Sequence, residues 1–254
     1  MGLDQFRLDG KVALITGGNR GIGLGITSAF CEAGAKCLIT ARRNNPEAVA
    51  ALSEAGYTFE FVSADVTDPE VPERLVDRTV ETFGSFDILV NNAGVAIHCD
   101  MPEFDDSKLE SQMSTNFDQA FRLSRAALKP MQAQQHGVIV NIGSISALIA
   151  NIPQRQVAYN ASKAAVHMMT KCMASDYAAD GIRVNAVAPG YIDTDMTRPG
   201  IDRPDWDKVW ADMTPIGRYG TPADVANCAL FLASPASAFV TGAILVVDGG
   251  YTTR

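Results

Sequence analysis

Val12-Ala13-Leu14-Ile15-Thr16-Gly17-Gly18-Asn19-Arg20-Gly21-Ile22-Gly23 is the stretch whose reading decides the fold. An apolar run ends in a glycine-rich turn, and the turn opens into a segment with apolar residues at helical spacing as far as Ala33. Strand, tight turn and helix in that order are the first half of a βαβ unit. A phosphate can approach such a turn only where Cβ atoms are missing, and the helix start then offers free N–H groups and the positive end of its dipole. The glycines fall as G-x-x-x-G-x-G with no Gly-Lys-Ser/Thr after them, which disfavours a loop that hydrolyses nucleoside triphosphates.

Outward from this unit, which begins with a strand at 11–16, the alternation recurs. Runs rich in Val and Ile at 36–41, 58–63, 86–90, 137–142, 182–187 and 243–247 read as further strands. The stretches 21–33, 69–83, 107–131, 158–179 and 222–232 read as helices. Continuously apolar strands are buried on both faces. The expectation is therefore an α/β fold: one doubly wound Rossmann-type domain over 1–254, with a seven-stranded, mostly parallel sheet and helices on both sides. One segment departs from the alternation. Between Asp193 and Pro215, Arg198, Pro199, Gly200, Asp202, Arg203 and Pro204 break it, which reads as an inserted substrate loop with a short helix at 205–212.

Composition narrows the function. The 254 residues carry 21 basic and 29 acidic side chains, a net charge of −8. Nucleic-acid and anionic-membrane surfaces need clustered Lys and Arg, and no such cluster is present. No apolar run approaches the roughly 20 residues that span a bilayer. The start, Met1 to Gly10, has no cationic and apolar leader, so a cytoplasmic location is expected. Cys31, Cys37, Cys99, Cys172 and Cys228 form no C-x-x-C and read as reduced, buried thiols. His98, His136 and His167 have no metal-ligand spacing and read as structural, so no metal site is expected.

Three further motifs carry chemistry. The second strand ends Thr40-Ala41-Arg42-Arg43. A carboxylate at this place would bind the ribose 2′-OH of NAD, whereas guanidinium groups fit a 2′-phosphate. Arg42 and Arg43, with Arg20 from the glycine turn, therefore point to NADP(H). Tyr159 and Lys163 stand four residues apart at the start of a helix and share a face. A phenol with a reference pKa near ~10 needs such a cation to move protons at neutral pH. Ser144 lies at the carboxyl edge of the fifth strand, where ligands bind in open α/β sheets, and can donate to a substrate oxygen. The G-x-S-x-G elbow of serine hydrolases is not matched.

Together these motifs, with Asp65-Val66, Asn91-Asn92-Ala93-Gly94, Asn116 and Pro189-Gly190, resemble the short-chain dehydrogenase/reductase family over essentially the whole chain. The resemblance implies that Gly17, Asn19, Arg20, Gly21, Ile22 and Gly23 hold the cofactor phosphates. It implies Asp65 and Val66 beside the adenine, with Asn92, Ala93 and Gly94 lining the cleft. Pro189, Gly190, Ile192 and Thr194 would then meet the nicotinamide end. Tyr159 becomes the general acid/base, Ser144 orients the substrate oxygen, Lys163 holds the ribose and lowers the Tyr159 pKa, and Asn116 anchors a relay water. The family also implies a homotetramer.

For the substrate, the segment between Ser144 and Tyr159 is rich in amides and hydroxyls, Ser146 and Asn151 foremost, and these can bind several hydroxyls or simply face water. The stretches 141–163, 189–196 and 212–218 look most like the polyol dehydrogenase and ketose reductase branch, which implies reduction of a sorbose- or fructose-like ketose by NADPH. A reductase of 3-oxoacyl chains on a carrier protein is the alternative, with Arg122, Arg125 and Lys129 as its basic patch or as part of a subunit interface. A non-catalytic NADP-binding sensor is the alternative from another class, and the intact Asn116, Ser144, Tyr159 and Lys163 argue against it.

Overall fold

The computed structural model describes residues 2–254. Seven strands form one sheet: β1 Val12–Thr16, β2 Lys36–Ala41, β3 Phe59–Ser63, β4 Ile88–Asn91, β5 Gly137–Ile142, β6 Ile182–Pro189 and β7 Ile244–Val247. Their order is β3-β2-β1-β4-β5-β6-β7, and neighbours pair in parallel. The chain winds outward from β1 to β3, then returns beside β1 and winds the other way. Such a reversal leaves a crevice at the carboxyl ends of β1 and β4, where open α/β sheets bind ligands.

Side chains alternate across the sheet because the strand period is two. Ala13 and Ile15 of β1 face one side, where α1 (Gly21–Glu32), α2 (Pro46–Glu54) and α9 (Pro222–Ala233) contribute Ile26, Leu52 and Val225. Leu14 faces the other side, where α3 (Val71–Phe83) and α5 (Gln119–Gln134) supply Leu75 and Leu123 and α6 (Val157–Tyr177) supplies Met169. The two cores together cover both faces, as the continuously apolar strands require.

At the sheet edge away from the crevice, Asp87 accepts hydrogen bonds from Val12 N (3.0 Å), Lys11 Nζ (3.1 Å) and Ser85 Oγ (2.9 Å). Burial works to raise its pKa, but these bonds and that of His136 outweigh it and hold the carboxyl well below the usual range. The pairing of β1 with β4 thus gains a contribution that is present at neutral pH and is lost in strong acid.

The structure corrects several sequence expectations. The helix expected over 107–131 is two, α4 (Asp106–Met113) and α5, joined by a π-helical turn over Ser114–Asp118. The extra residue in that turn aims the buried Asn116 at the strand-four loop, a use that such insertions often serve. Helix α2 is an element that the sequence pattern does not predict, although Asn45 caps it by accepting from Ala48 N and Pro46 fits its first turn. Strand β4 runs later than expected because Phe86 and Asp87 precede the ladder, and β6 extends to Pro189. The 193–215 insertion holds two helices, α7 (Arg198–Ile201) and α8 (Pro204–Asp212). All five cysteines are free, but only Cys31 and Cys37 are buried; Cys99 and Cys228 are partly exposed and Cys172 is exposed. Among the described residues, no helix is long and apolar enough to cross a membrane, and no group of three or more His, Cys, Asp or Glu could hold a metal ion.

Candidate active site

A cleft of about 760 Å³ opens at the carboxyl ends of β1 and β4. Its floor is stitched by Thr16. The Thr16 hydroxyl accepts from Asn92 N (3.0 Å) and Ala93 N (2.9 Å), while Asn92 Nδ2 donates to the carbonyls of Thr16 (2.8 Å) and Gly17 (3.3 Å). These bonds join the glycine turn to the loop after β4, so both approach the ligand as one rigid surface.

The turn is shaped for close backbone contact. Gly17 has φ +65° and Gly21 φ +50°. A Cβ on Gly23 would lie 2.1 Å from the Gly17 carbonyl oxygen, so only glycine fits. No side chain caps the start of α1 at Arg20. The N–H groups of its first turn are therefore left for an anion, the arrangement a dinucleotide pyrophosphate uses. Arg20, Ile22 and Arg42 line the same end of the cleft, as do Asp65 and Val66. Asp65 accepts from Thr67 N (3.0 Å) and Thr67 Oγ1 (2.8 Å). Burial acts to raise its pKa, but the Thr67 bonds and the charge of Arg42 prevail, and it stays a carboxylate.

Two of the expected cofactor-binding residues do not line the cleft. Asn19 is buried beneath the turn, where its Nδ2 donates to the Arg43 carbonyl (2.8 Å) and its own carbonyl accepts from Asn45 (3.1 Å). It shapes the turn instead of lining the cleft. Arg43 is exposed and is not part of the cleft wall.

Ala93 and Gly94 lead to the chemical end of the cleft. A Cβ on Gly94 would come within 3.3 Å of Asn116 Oδ1 and 3.7 Å of Lys163 Nζ. The Asn116 side chain is bonded on both sides: Oδ1 accepts from Val95 N (2.8 Å), and Nδ2 donates to the Val95 carbonyl (3.0 Å) and Ser162 Oγ (3.0 Å). It anchors the loop after β4 to α6. Pro189, Gly190, Ile192 and Thr194 close the cleft from the β6 side, with the Thr194 methyl 3.4 Å from where a Cβ on Gly21 would sit.

Ser144, Tyr159 and Lys163 meet on one wall. Helix α6 places Lys163 Nζ 5.9 Å from the centre of the Tyr159 ring, with the ammonium donating to the Ile142 carbonyl at 2.8 Å. Burial pushes the lysine down to about 8. Burial raises the Tyr159 phenol, and a hydrogen bond with Ser144 only partly offsets that. The protein alone therefore holds Tyr159 as a proton donor. Behind this wall, His167 sits where Gly143 lacks a side chain, its Nε2 accepting from Ser144 N at 3.4 Å. Burial and the nearby charges of Lys163 and Lys171 lower it to about 4, so it is neutral.

The remaining wall was only partly legible in the sequence. Ser146 and Asn151 line it, yet both are tied into an amide network. Gln156 Nε2 donates to Ser146 Oγ (3.0 Å) and to Asn151 Oδ1 (3.0 Å), while Asn151 Nδ2 donates to the Tyr191 hydroxyl (3.1 Å). Gln154 Nε2 donates to that same hydroxyl at 2.7 Å, and Trp210 Nε1 from α8 donates to Gln154 Oε1 at 3.1 Å. Tyr191 stacks on Trp210 with ring centres 4.1 Å apart. His98, expected to be structural, lines the cleft as well, beside Trp206. No spacing rule brings 98, 191, 206 and 210 together; their shared signal is that aromatic or amide side chains fall in loops beyond the carboxyl ends of strands.

Of the three basic residues on α5, Arg125 is exposed and the other two are engaged by neighbours. Arg122 Nη1 donates to the Thr67 carbonyl (3.2 Å), and Lys129 pairs with Glu73 of α3 (2.8 Å).

Comparison with known proteins agrees with this geometry. The family described as Enoyl-(Acyl carrier protein) reductase matches residues 17–252. The chain is 45% identical over 247 residues to a galactitol 2-dehydrogenase (L-tagatose-forming) of Cereibacter sphaeroides, covering 97% of each. It is 43% identical to a galactitol 2-dehydrogenase of Rhizobium johnstonii, covering 98% of this chain and 97% of the relative. A gluconate 5-dehydrogenase of Burkholderia cenocepacia, solved in complex with NADP and tartrate, superposes with a TM-score of 0.92 at 38% identity and 99% coverage of both chains. With its glycine turn, parallel sheet and Tyr159/Lys163 wall, the chain belongs to the short-chain dehydrogenase/reductase family of oxidoreductases.

Proposed function

We propose that this protein is an NADPH-dependent ketose reductase, which reversibly converts the carbonyl of a sorbose- or fructose-like ketose into the secondary alcohol of a polyol. The observation that carries the reading is the composition of one cleft. Tyr159 and Ser144 stand at one end of a substrate wall built from amide, hydroxyl and aromatic side chains, a lining suited to a polyhydroxylated molecule. Similarity to two galactitol 2-dehydrogenases supports it.

NADPH, when bound, supplies the hydride. Tyr159 gives its proton to the carbonyl oxygen, Ser144 donates to that oxygen and fixes its position, and the Lys163 cation favours the phenolate left behind. Arg42 and Arg20 would meet the 2′-phosphate, and no acid stands at the end of β2 to repel it. The complete Ser144, Tyr159 and Lys163 set weakens the sensor alternative. Phe121 on α5 and Met168 on α6 are exposed apolar side chains, which supports the homotetramer that the family resemblance implies.

The test is NADPH oxidation with ketoses, diketones and a 3-oxoacyl thioester, with NADH in parallel. We expect ketose-selective turnover with NADPH favoured over NADH by about tenfold or more, the scale of one charge-assisted hydrogen bond. Selective thioester turnover overturns the substrate assignment, and equal use of NADH overturns the role of Arg42.

A further inference from the structure

The wall facing away from Ser144 contains a polar atom that the reaction does not use. The two amide hydrogens of Gln156 are shared among three acceptors, Ser146 Oγ, Asn151 Oδ1 and Asn160 Oδ1, each 3.0 Å from Nε2. Its Oε1 is therefore the acceptor facing His98 Nε2 at 3.1 Å, and the histidine must donate. A neutral imidazole that donates from Nε2 has a bare lone pair on Nδ1. Among the described residues, no protein donor meets that Nδ1.

The ring of His98 lies 5.2 Å from that of Trp206, at 88° to it, so α8 and the loop after β4 meet at this point. Trp206 is half-buried, and the Arg203 guanidinium lies over its ring at 4.3 Å. Arg203 is paired with Asp205 at 3.1 Å, which offsets its charge locally. Gln156 and Ser146 stand between His98 and the reacting end, since Ser146 N donates to Ser144 Oγ at 3.0 Å. A group that reaches His98 is thus several atoms away from the carbonyl held by Tyr159.

We propose that His98 and Trp206 form a distal subsite that reads the uncharged hydroxyl tail of the substrate, His98 Nδ1 accepting from a hydroxyl and the Trp206 ring packing against the C–H side of the chain. The subsite sets chain length, favouring five- and six-carbon ketoses over shorter ones. It deepens the ketose-reductase reading and rests on it.

The experiment measures kcat/KM with NADPH for uncharged ketoses of three to six carbons, and for 5-ketogluconate, in the wild type and in His98→Phe, Trp206→Leu and Arg203→Ala. His98→Phe keeps a ring beside Trp206 but removes the acceptor. We expect His98→Phe to lose about tenfold on six-carbon ketoses, mostly through KM, and to stay within about twofold on the three-carbon ketose. Trp206→Leu should show the same chain-length dependence. Equal loss at every length, or no loss at any, overturns the subsite while leaving the ketose reading intact. Preference for 5-ketogluconate that disappears in Arg203→Ala overturns the uncharged tail, because Arg203 would then be a carboxylate ligand. Absence of turnover with every ketose overturns the function first and the subsite with it.

Discussion

The two ends of the cleft are made differently. The cofactor end is largely backbone: Gly17, Gly21 and Gly23, the uncapped start of α1, and Thr16 and Asn92 joining two neighbouring loops. The substrate end is a set of long side chains from four separate segments, with His98 after β4, Gln154 and Gln156 before α6, Tyr191 after β6, and Trp206 and Trp210 on α8. The first end has one solution for one invariant shape, a pyrophosphate. The second is held by side-chain bonds that can be exchanged one at a time, which is how a common scaffold changes substrate.

Tyr159 stands between the two ends and gives the largest expected effect. Tyr159→Phe should lower kcat by about 10³-fold, within the usual range for losing a general acid. NADPH affinity, measured by fluorescence titration, should stay within about twofold. In the wild type, kcat/KM for ketone reduction should be level on the acid side and fall as pH rises through about 8, where Lys163 gives up its proton and no longer favours the phenolate. Substantial activity in Tyr159→Phe would refute the proposed proton donor.

Next in size is a change confined to the cofactor end. A Cβ at position 23 would lie 2.1 Å from Gly17 O and 2.5 Å from Asn92 Nδ2, so the turn must open and the loop after β4 must shift with it. Gly23→Ala should weaken NADPH binding by about 100-fold, a loss on the order of 3 kcal/mol. Circular dichroism would check that the sheet survives. Near-normal affinity in the folded variant would show that the turn is not as rigid as its contacts make it.

The same contrast explains what the sequence disclosed. The strands, the glycine turn and the Tyr159/Lys163 pair are local: alternation, glycine spacing and the four-residue helical repeat are visible in a short window. Asn19 lies beneath the turn because glycine spacing indicates where phosphate goes without saying which neighbouring side chain turns inward to brace the loop. Asn116 was found only through the family resemblance, since the π-helical turn that aims it has no spacing signature of its own. His98 and Trp206 could not be paired at all. They are far apart in sequence and meet only after α7 and α8 fold back over the cleft.

The smallest effect sharpens the comparison most, because it alters how the substrate end is held without removing a reacting group. Trp210 is 2% exposed, and Gly200 of α7 admits it: a Cβ there would lie 2.1 Å from the indole. Trp210→Phe keeps an aromatic ring against Tyr191 but loses the N–H to Gln154, leaving that buried amide oxygen unpaired at a cost of about 1–3 kcal/mol. Part of this cost is borne by the positioning of α8, so KM for the ketose should rise a few-fold, with kcat and NADPH affinity each within about twofold of wild type. Steady-state kinetics and a fluorescence titration on the same preparation measure all three. If NADPH affinity fell as far as ketose affinity, α8 would be coupled to both ends of the cleft, and the division between a backbone-built and a side-chain-built half would fail where Thr194 packs beside Gly21.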